Sequence, residues 1–136
     1  MKRTASAHWE GDLKAGKGTL STQSTVLDKS QYSFGTRFEN GKGTNPEELL
    51  GAAHAGCFTM AVSAALGQAG FTPTALDTVA TITLENLTVT GSHLEINGKV
   101  PGISKEKFEE IVKGAEQNCV ISRALSVPIT STATLL

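Results

Sequence analysis

Residues 49–76 contain no Asp, Glu, Lys or Arg, although charged residues make up 18% of this 136-residue chain. A charge-free segment of this length is typical of a membrane span or of a helix enclosed by protein. Alanine and glycine dominate it where a spanning helix has Leu, Ile and Val, and polar residues interrupt it at His54, Thr59, Ser63 and Gln68. We therefore interpret it as a buried core helix and expect no membrane as a partner.

The start of this helix is marked by three agreeing residues. Asn45 is a favourable N-cap, Pro46 suits the first helical position, and Glu48 stands three residues after the cap as in a capping box. The helix is expected to end at Gly67 or Gly70. Its apolar residues cover every side, so it must be surrounded, and a chain of this size has difficulty enclosing it alone. A homodimer is therefore expected.

The remaining chain is predicted to be mostly strands. Alternation over residues 32–38 predicts a strand with Arg37 on its polar face. After the long helix, two strands with a bulge or bend near residues 85–86 are expected to turn at Gly91 and Ser92. An amphipathic helix begins near Ser104, and alternation over residues 127–135 predicts a last strand. The order predicts one α+β domain over residues 1–136 with a largely antiparallel sheet.

Composition narrows the choice of partners and compartment. Twelve basic residues balance 13 acidic ones, so neither nucleic acid nor an anionic membrane surface is an expected partner. No apolar segment follows the basic residues at the N-terminus, which favours the cytoplasm. In that reducing compartment both cysteines are expected to be free thiols at rest. No glycine-rich phosphate-binding motif is present, and no cofactor is expected.

Cys57 and Cys119 are the residues with the most distinctive chemistry. Their spacing fits no CxxC motif, and two buried core thiols are a sufficient interpretation of it. Around Cys57, however, an Ala/Gly-rich helix leaves room for a substrate. A thiol in apolar surroundings resists ionisation, so a working thiolate needs a nearby cation. Arg37 is the cation immediately upstream, and Glu47 could hold it through a bidentate pair, although both residues could also be ordinary solvated groups.

Two other arrangements of the same residues remain open from spacing alone. His54 precedes Cys57 by three residues, which permits a Cys/His nucleophile pair on one helix face. A zinc site of Cys57, Cys119 and His54 would lack an obvious fourth ligand, because His8 and His93 belong to other strands. A histidine in such a helix is more often a hydrogen-bonded core or interface residue.

Two segments carry a resemblance to a known family. FGTRF at residues 34–38 and GTNPEELLGAAHAGCFTMAVS at residues 43–63 resemble the OsmC/Ohr family, the osmotically inducible and organic hydroperoxide resistance proteins. The opening AHWEGDLKAGKGTLST and the stretch GFTPTALDT are similar to the OsmC branch. The similarity covers most of the chain, and its NPEELLGAAHAGC segment is specific.

The resemblance implies a fold, an activity and a set of site residues. The fold would be an intertwined α+β homodimer, with antiparallel sheets around a long buried helix. The activity would be thiol-dependent reduction of organic hydroperoxides, with a dithiol reductant such as a lipoyl-bearing protein. Cys57 matches the peroxidatic cysteine, Cys119 the resolving cysteine, Arg37 the activating arginine and Glu47 its acidic partner. One residue departs from the family pattern, because Val120 stands where proline often follows the resolving cysteine.

Two other functions use the same residues. A thiol hydrolase would use Cys57 with His54 and leave Cys119 unoxidised. A redox-sensing or small-molecule-binding protein would use the pocket at Cys57 without turnover. Steady consumption of a hydroperoxide in the presence of a dithiol separates the peroxidase from both.

Overall fold

The computed structural model describes residues 1–136. Its ten elements confirm an α+β chain with a long helix, and they are β1 (Ala5–Glu10), β2 (Lys17–Thr22), β3 (Ser30–Tyr32), α1 (Phe34–Phe38), α2 (Pro46–Gln68), β4 (Ala75–Glu85), β5 (Thr88–Lys99), α3 (Lys105–Asn118), α4 (Val120–Ala124) and β6 (Ile129–Leu135). The chain forms two compact units, Met1–Leu49 and Leu50–Leu136. The assignment of one domain to residues 1–136 stays a prediction.

The first unit contains an antiparallel sheet in the order β1-β2-β3. Trp9 and Tyr32 come from its outer strands and meet edge to face, with their ring centroids 5.5 Å apart. Gly18 pairs with both residues in the register, and a Cβ there would lie within 2.6 Å of each ring. The glycine therefore allows the two aromatic rings to meet across the central strand.

The second unit contains a sheet in the order β4-β5-β6, in which β4 and β5 are antiparallel and β5 and β6 are parallel. Three of the four strand pairings in the chain are thus antiparallel, as expected. The parallel pairing arises because α3 and α4 connect β5 to β6 as a crossover. The core combines apolar residues of α2, β5 and α3, among them Phe58, Leu94, Ile96 and Phe108, and includes Cys119.

Helix α2 is buried along one stripe only. By length and composition alone it could cross a membrane, as could the core helix of many soluble proteins. Its buried residues recur every three or four positions, which is one helical face, and they are Gly51, His54, Phe58, Val62 and Leu66. The chain by itself therefore leaves the other faces of this apolar helix uncovered. The homodimer that would cover them stays a prediction.

The predicted strand over residues 32–38 is wrong beyond Tyr32. The structure has the short helix α1 there, with Arg37 in its last turn. Ser33 begins it with a capping box: Thr36 N–H donates to Ser33 Oγ at 3.2 Å, and Ser33 N–H donates to Thr36 Oγ1 at 2.8 Å. Phe34 and Phe38, four residues apart, share a face in a strand and in a helix alike, so the aromatic spacing did not distinguish them.

The predicted turn at Gly91 and Ser92 is also wrong. The hairpin turns at Asn86 and Leu87, which have φ angles of 49° and 60°. A register shift between Thr83 and Leu84 confirms an irregularity close to the predicted bulge. Ser92 consequently lies inside β5 and is buried.

Candidate active site

The two cysteines lie in the second unit and are both free. Cys57 is on α2, one position before the buried Phe58, and is only half-buried. It packs against the core cluster that contains Cys119. Cys119 is buried, ends α3 and caps α4, and its backbone N–H donates to Ala115 O. Cys57 is thus a partly exposed residue at the margin of the core cluster, and Cys119 is enclosed within that cluster.

Arg37 and Glu47 form the bidentate ion pair that the sequence suggested. In the first unit, Arg37 Nε donates to Glu47 Oε1 and Oε2 at 3.0 and 3.2 Å, and Nη2 donates to Oε1 at 2.7 Å. The hydrogen bond to Glu47 raises the pKa of Arg37 above its ordinary value. Arg37 Nη1 donates to no group in the chain. The guanidinium is therefore held in place and still has donors to offer a ligand.

His54 is fully buried and hydrogen-bonded at both ring nitrogens. Nδ1 lies 2.6 Å from Ser92 Oγ on β5, and Nε2 lies 2.8 Å from Ser122 Oγ on α4. Burial lowers the pKa of His54 below its ordinary value, so the imidazole is neutral at physiological pH. A neutral ring with two hydroxyl partners satisfies its polar atoms without placing a charge in the core.

This arrangement contradicts the Cys57/His54 pair. Both nitrogens of His54 are already engaged by serine hydroxyls, so neither is available to Cys57. The hydrolase alternative loses its base for that reason. The zinc alternative also lacks a site, because no three His, Cys, Asp or Glu side chains converge as metal ligands would.

Ser92 and Ser122 are the site residues that sequence reasoning missed. Ser122 stands three residues after Cys119, and its backbone N–H donates to Cys119 Sγ at 3.3 Å as in an N-cap. Cysteine is not among the preferred N-cap residues, so no signal in the sequence marked this contact. Ser92 gave none, because it was assigned to a turn. Its link to His54 spans 38 positions of sequence and depends on the strand register.

Comparisons with known proteins identify the family. The family model described as OsmC-like protein matches residues 39–133. The chain is 50% identical over 134 residues to the peroxiredoxin OsmC of Escherichia coli (strain K12). The aligned region covers 96% of this chain and 94% of that protein. The chain belongs to the OsmC-like protein family, and the resemblance noted in the sequence is confirmed.

Solved structures confirm the fold. The organic hydroperoxide resistance protein OhrB of Bacillus subtilis superposes with a TM-score of 0.70 at 22% identity, over 98% of both chains. The OsmC-like protein of Mycoplasma pneumoniae gives a TM-score of 0.72 at 16% identity, over 100% of this chain and 98% of the other. At these identities the likeness shows a shared α+β fold.

The backbone at Cys119 explains how Val120 can replace a proline. Cys119 has φ −62° and ψ 145°, which a residue before proline readily adopts, and Val120 is the first residue of α4. We therefore expect Val120→Pro to fold and to gain about 0.4–1 kcal/mol of unfolding free energy, because proline restricts the unfolded chain. Denaturant unfolding of the reduced proteins measures it. A loss of stability would show that this backbone conformation is not the native one.

Proposed function

We propose that this protein is an organic hydroperoxide reductase in which Cys57 is the peroxidatic cysteine and Cys119 the resolving cysteine. The observation that carries the proposal is the half-buried Cys57 thiol packed on the core cluster that contains the buried Cys119 thiol. A relative with half of its residues identical is named a peroxiredoxin, which supports a peroxidase function. We assign the function to defence against oxidative and osmotic stress.

In the proposed first step, the Cys57 thiolate attacks the terminal oxygen of the hydroperoxide. The S–O bond forms, the O–O bond breaks, and the alkoxide leaves as alcohol after taking a proton. Arg37, held by Glu47, stabilises the thiolate and donates to the leaving oxygen through its free N–H groups. Cys57 is left as a sulfenic acid.

In the proposed second step, Cys119 attacks the sulfenic sulfur and releases water. The disulfide protects Cys57 from further oxidation and is reduced by two thiols of a second molecule. We assign this role to a dithiol of the lipoyl-bearing class. Such a cycle suits a cytoplasmic location, where thiols are kept reduced.

Substitution of each cysteine tests the mechanism. Cys57→Ser is expected to abolish turnover, because a serine alkoxide is not available at neutral pH, whereas Cys119→Ser should react once and then stall or over-oxidise. Peroxide consumption with excess dithiol and intact mass after one equivalent of peroxide measure the two effects. Normal turnover by Cys57→Ser would eliminate the mechanism. One stoichiometric oxidation of the unmodified protein without turnover would favour redox sensing.

The surface beside Cys57 favours an organic peroxide. Of its four neighbours one helical turn away, His54 is buried, whereas Ala53, Met60 and Ala61 are apolar and exposed or half-buried, with Met60 75% exposed. From Ala61 a groove of about 390 Å³ runs between α2 and α3. Phe58, the residue after Cys57, is fully buried and faces the core. An alkyl tail therefore has apolar surface to cover next to the sulfur.

We expect kcat/KM to increase from hydrogen peroxide through ethyl and butyl hydroperoxide to hexyl hydroperoxide. Burying an alkyl tail contributes about 0.8 kcal/mol per methylene, so two buried methylenes increase it more than about tenfold. Met60→Gln, close in size, should weaken this dependence and leave the hydrogen peroxide rate unchanged. Equal values along the series, or a preference for hydrogen peroxide, would contradict the assignment of organic substrates.

The spacing of Glu47 and Cys57 supports a site shared between subunits. Both lie on α2, which runs unbroken from Pro46 to Gln68, and ten residues of helix rise about 15 Å. Two antiparallel copies crossing near residue 52 would bring Glu47 of one chain level with Cys57 of its partner. Ala52, Ala53 and Gly56 are small and exposed there, whereas Gly51 is buried against β4.

Subunit exchange tests the shared site. Cys57→Ser and Glu47→Ala homodimers are each expected to be inactive. In mixed heterodimers, the intact Cys57 of one chain and the intact Glu47 of the other restore one complete site, so about half of the unmodified activity should return. Mixing Cys57→Ser with itself is the control. An absence of recovery in heterodimers verified by mass would rule out sharing.

A further inference from the structure

A buried chain of hydrogen bonds connects Cys119 to His54. The Cys119 thiol donates to Ser122 Oγ at 3.1 Å, and Ser122 Oγ lies 2.8 Å from His54 Nε2. All three residues are buried, with exposed fractions of 3%, 6% and 0%. The two proposed reaction steps involve Cys119 and give no role to Ser122 or His54.

The Cys119 thiol, as the donor to Ser122, sets a direction for this chain of hydrogen bonds. The Ser122 hydroxyl has one proton, and since its oxygen accepts from Cys119, that proton is free to point at His54 Nε2. Nε2 is then the unprotonated nitrogen of the neutral ring, and Nδ1–H donates to Ser92 Oγ. In this tautomer the Cys119, Ser122 and Nδ1 protons each have an acceptor, and the chain ends on a lone pair of Nε2 that can accept a proton.

We propose that Ser122 and His54 form a proton relay that activates Cys119, an inference that rests on the proposed function. Ser122 takes the thiol proton, and its own proton passes to His54 Nε2. Ser122 touches the reacting sulfur, and His54 acts through Ser122 as a positioning residue. Ser92 holds the opposite nitrogen of the ring, outside the path of the proton.

The proposed step conserves atoms and charge. As the Cys119 proton leaves along the relay, its sulfur electron pair forms the S–S bond to Cys57, and the S–O bond of the sulfenic acid breaks. The departing hydroxide takes a proton from solvent and becomes water. The imidazolium of His54 then releases its proton, because burial disfavours the charged ring. The net change is one disulfide and one water from a sulfenic acid and a thiol.

The relay is tested by timing the two steps separately. Reduced protein is mixed with one equivalent of an alkyl hydroperoxide and quenched with a sulfenic-acid trap and a thiol-blocking reagent. Intact mass then gives the sulfenic acid and the disulfide at each time. Ser122→Ala removes the relay hydroxyl. Ser92→Ala is the matched control, since it removes a similarly buried hydroxyl that is hydrogen-bonded to the other nitrogen of the same imidazole ring.

Ser122→Ala is expected to slow disulfide formation by about a hundredfold, the lower end of the range for loss of general-base assistance, while Cys57 oxidation stays within about twofold. Ser92→Ala should slow disulfide formation by less than about threefold, and Ser122→Thr should restore most of the rate. His54→Gln keeps a hydrogen-bonding side chain but accepts no proton, so it should match Ser122→Ala. In unmodified protein the disulfide step should be slower in D₂O, which tests the relay without any substitution.

Three results would overturn the relay while leaving the proposed function intact. They are equal slowing by Ser92→Ala and Ser122→Ala, unmodified disulfide rates in Ser122→Ala and His54→Gln, and no effect of D₂O on the disulfide step. Failure of the proposed function has a different signature. Either Cys57 of the unmodified protein would form no sulfenic acid at all, or the oxidised protein would not turn over with excess dithiol, whatever the rate of the disulfide step.

Discussion

The burial of one stripe of α2 against the second sheet and α3 is the constraint on which the rest of the site depends. It fixes the rotation of the helix, so Phe58 enters the core and Cys57, one position earlier, stays at the margin. The same stripe buries His54, and a buried imidazole without partners would cost about 1–3 kcal/mol. Ser92 and Ser122 supply those partners, which ties the helix to β5 and α4.

The helix starts that depend on a capping residue were predicted from the sequence, whereas two other local features were not. Asn45 caps α2, with Glu48 N–H donating to its side chain at 2.8 Å, and Ser104 caps α3 as expected. The segment over residues 34–38 was misassigned because a capping box outweighed a spacing that suits a strand equally well. The turn was misplaced because Gly91 is by residue type the stronger turn signal, whereas the observed turn pairs Asn86 with Leu87, a residue that rarely adopts positive φ.

In the candidate site, some residues were identified from the sequence and others were not. Cys57, Cys119, Arg37 and Glu47 were found through residue chemistry and family resemblance, and the Arg37–Glu47 pair is confirmed in the structure. Their catalytic roles stay predictions. The environment of His54 was not predictable, because its contact with Ser122 spans 68 positions and depends on how α4 packs. The reacting groups were therefore easier to identify from the sequence than the groups that hydrogen-bond to them.

The different surroundings of the two cysteines suit the different tasks that the proposed cycle gives them. A thiolate that meets a peroxide at an accessible surface can be stabilised by a cation, and a guanidinium held by a carboxylate is such a cation at little desolvation cost. Cys119 is only 3% exposed, and placing a permanent charge beside it would cost several kcal/mol. A chain of neutral hydroxyl and imidazole groups avoids that cost, because it accepts a proton only while the disulfide forms. The partial exposure of Cys57 thus allows stabilisation by a charged group, whereas the burial of Cys119 allows only neutral hydrogen-bonding partners.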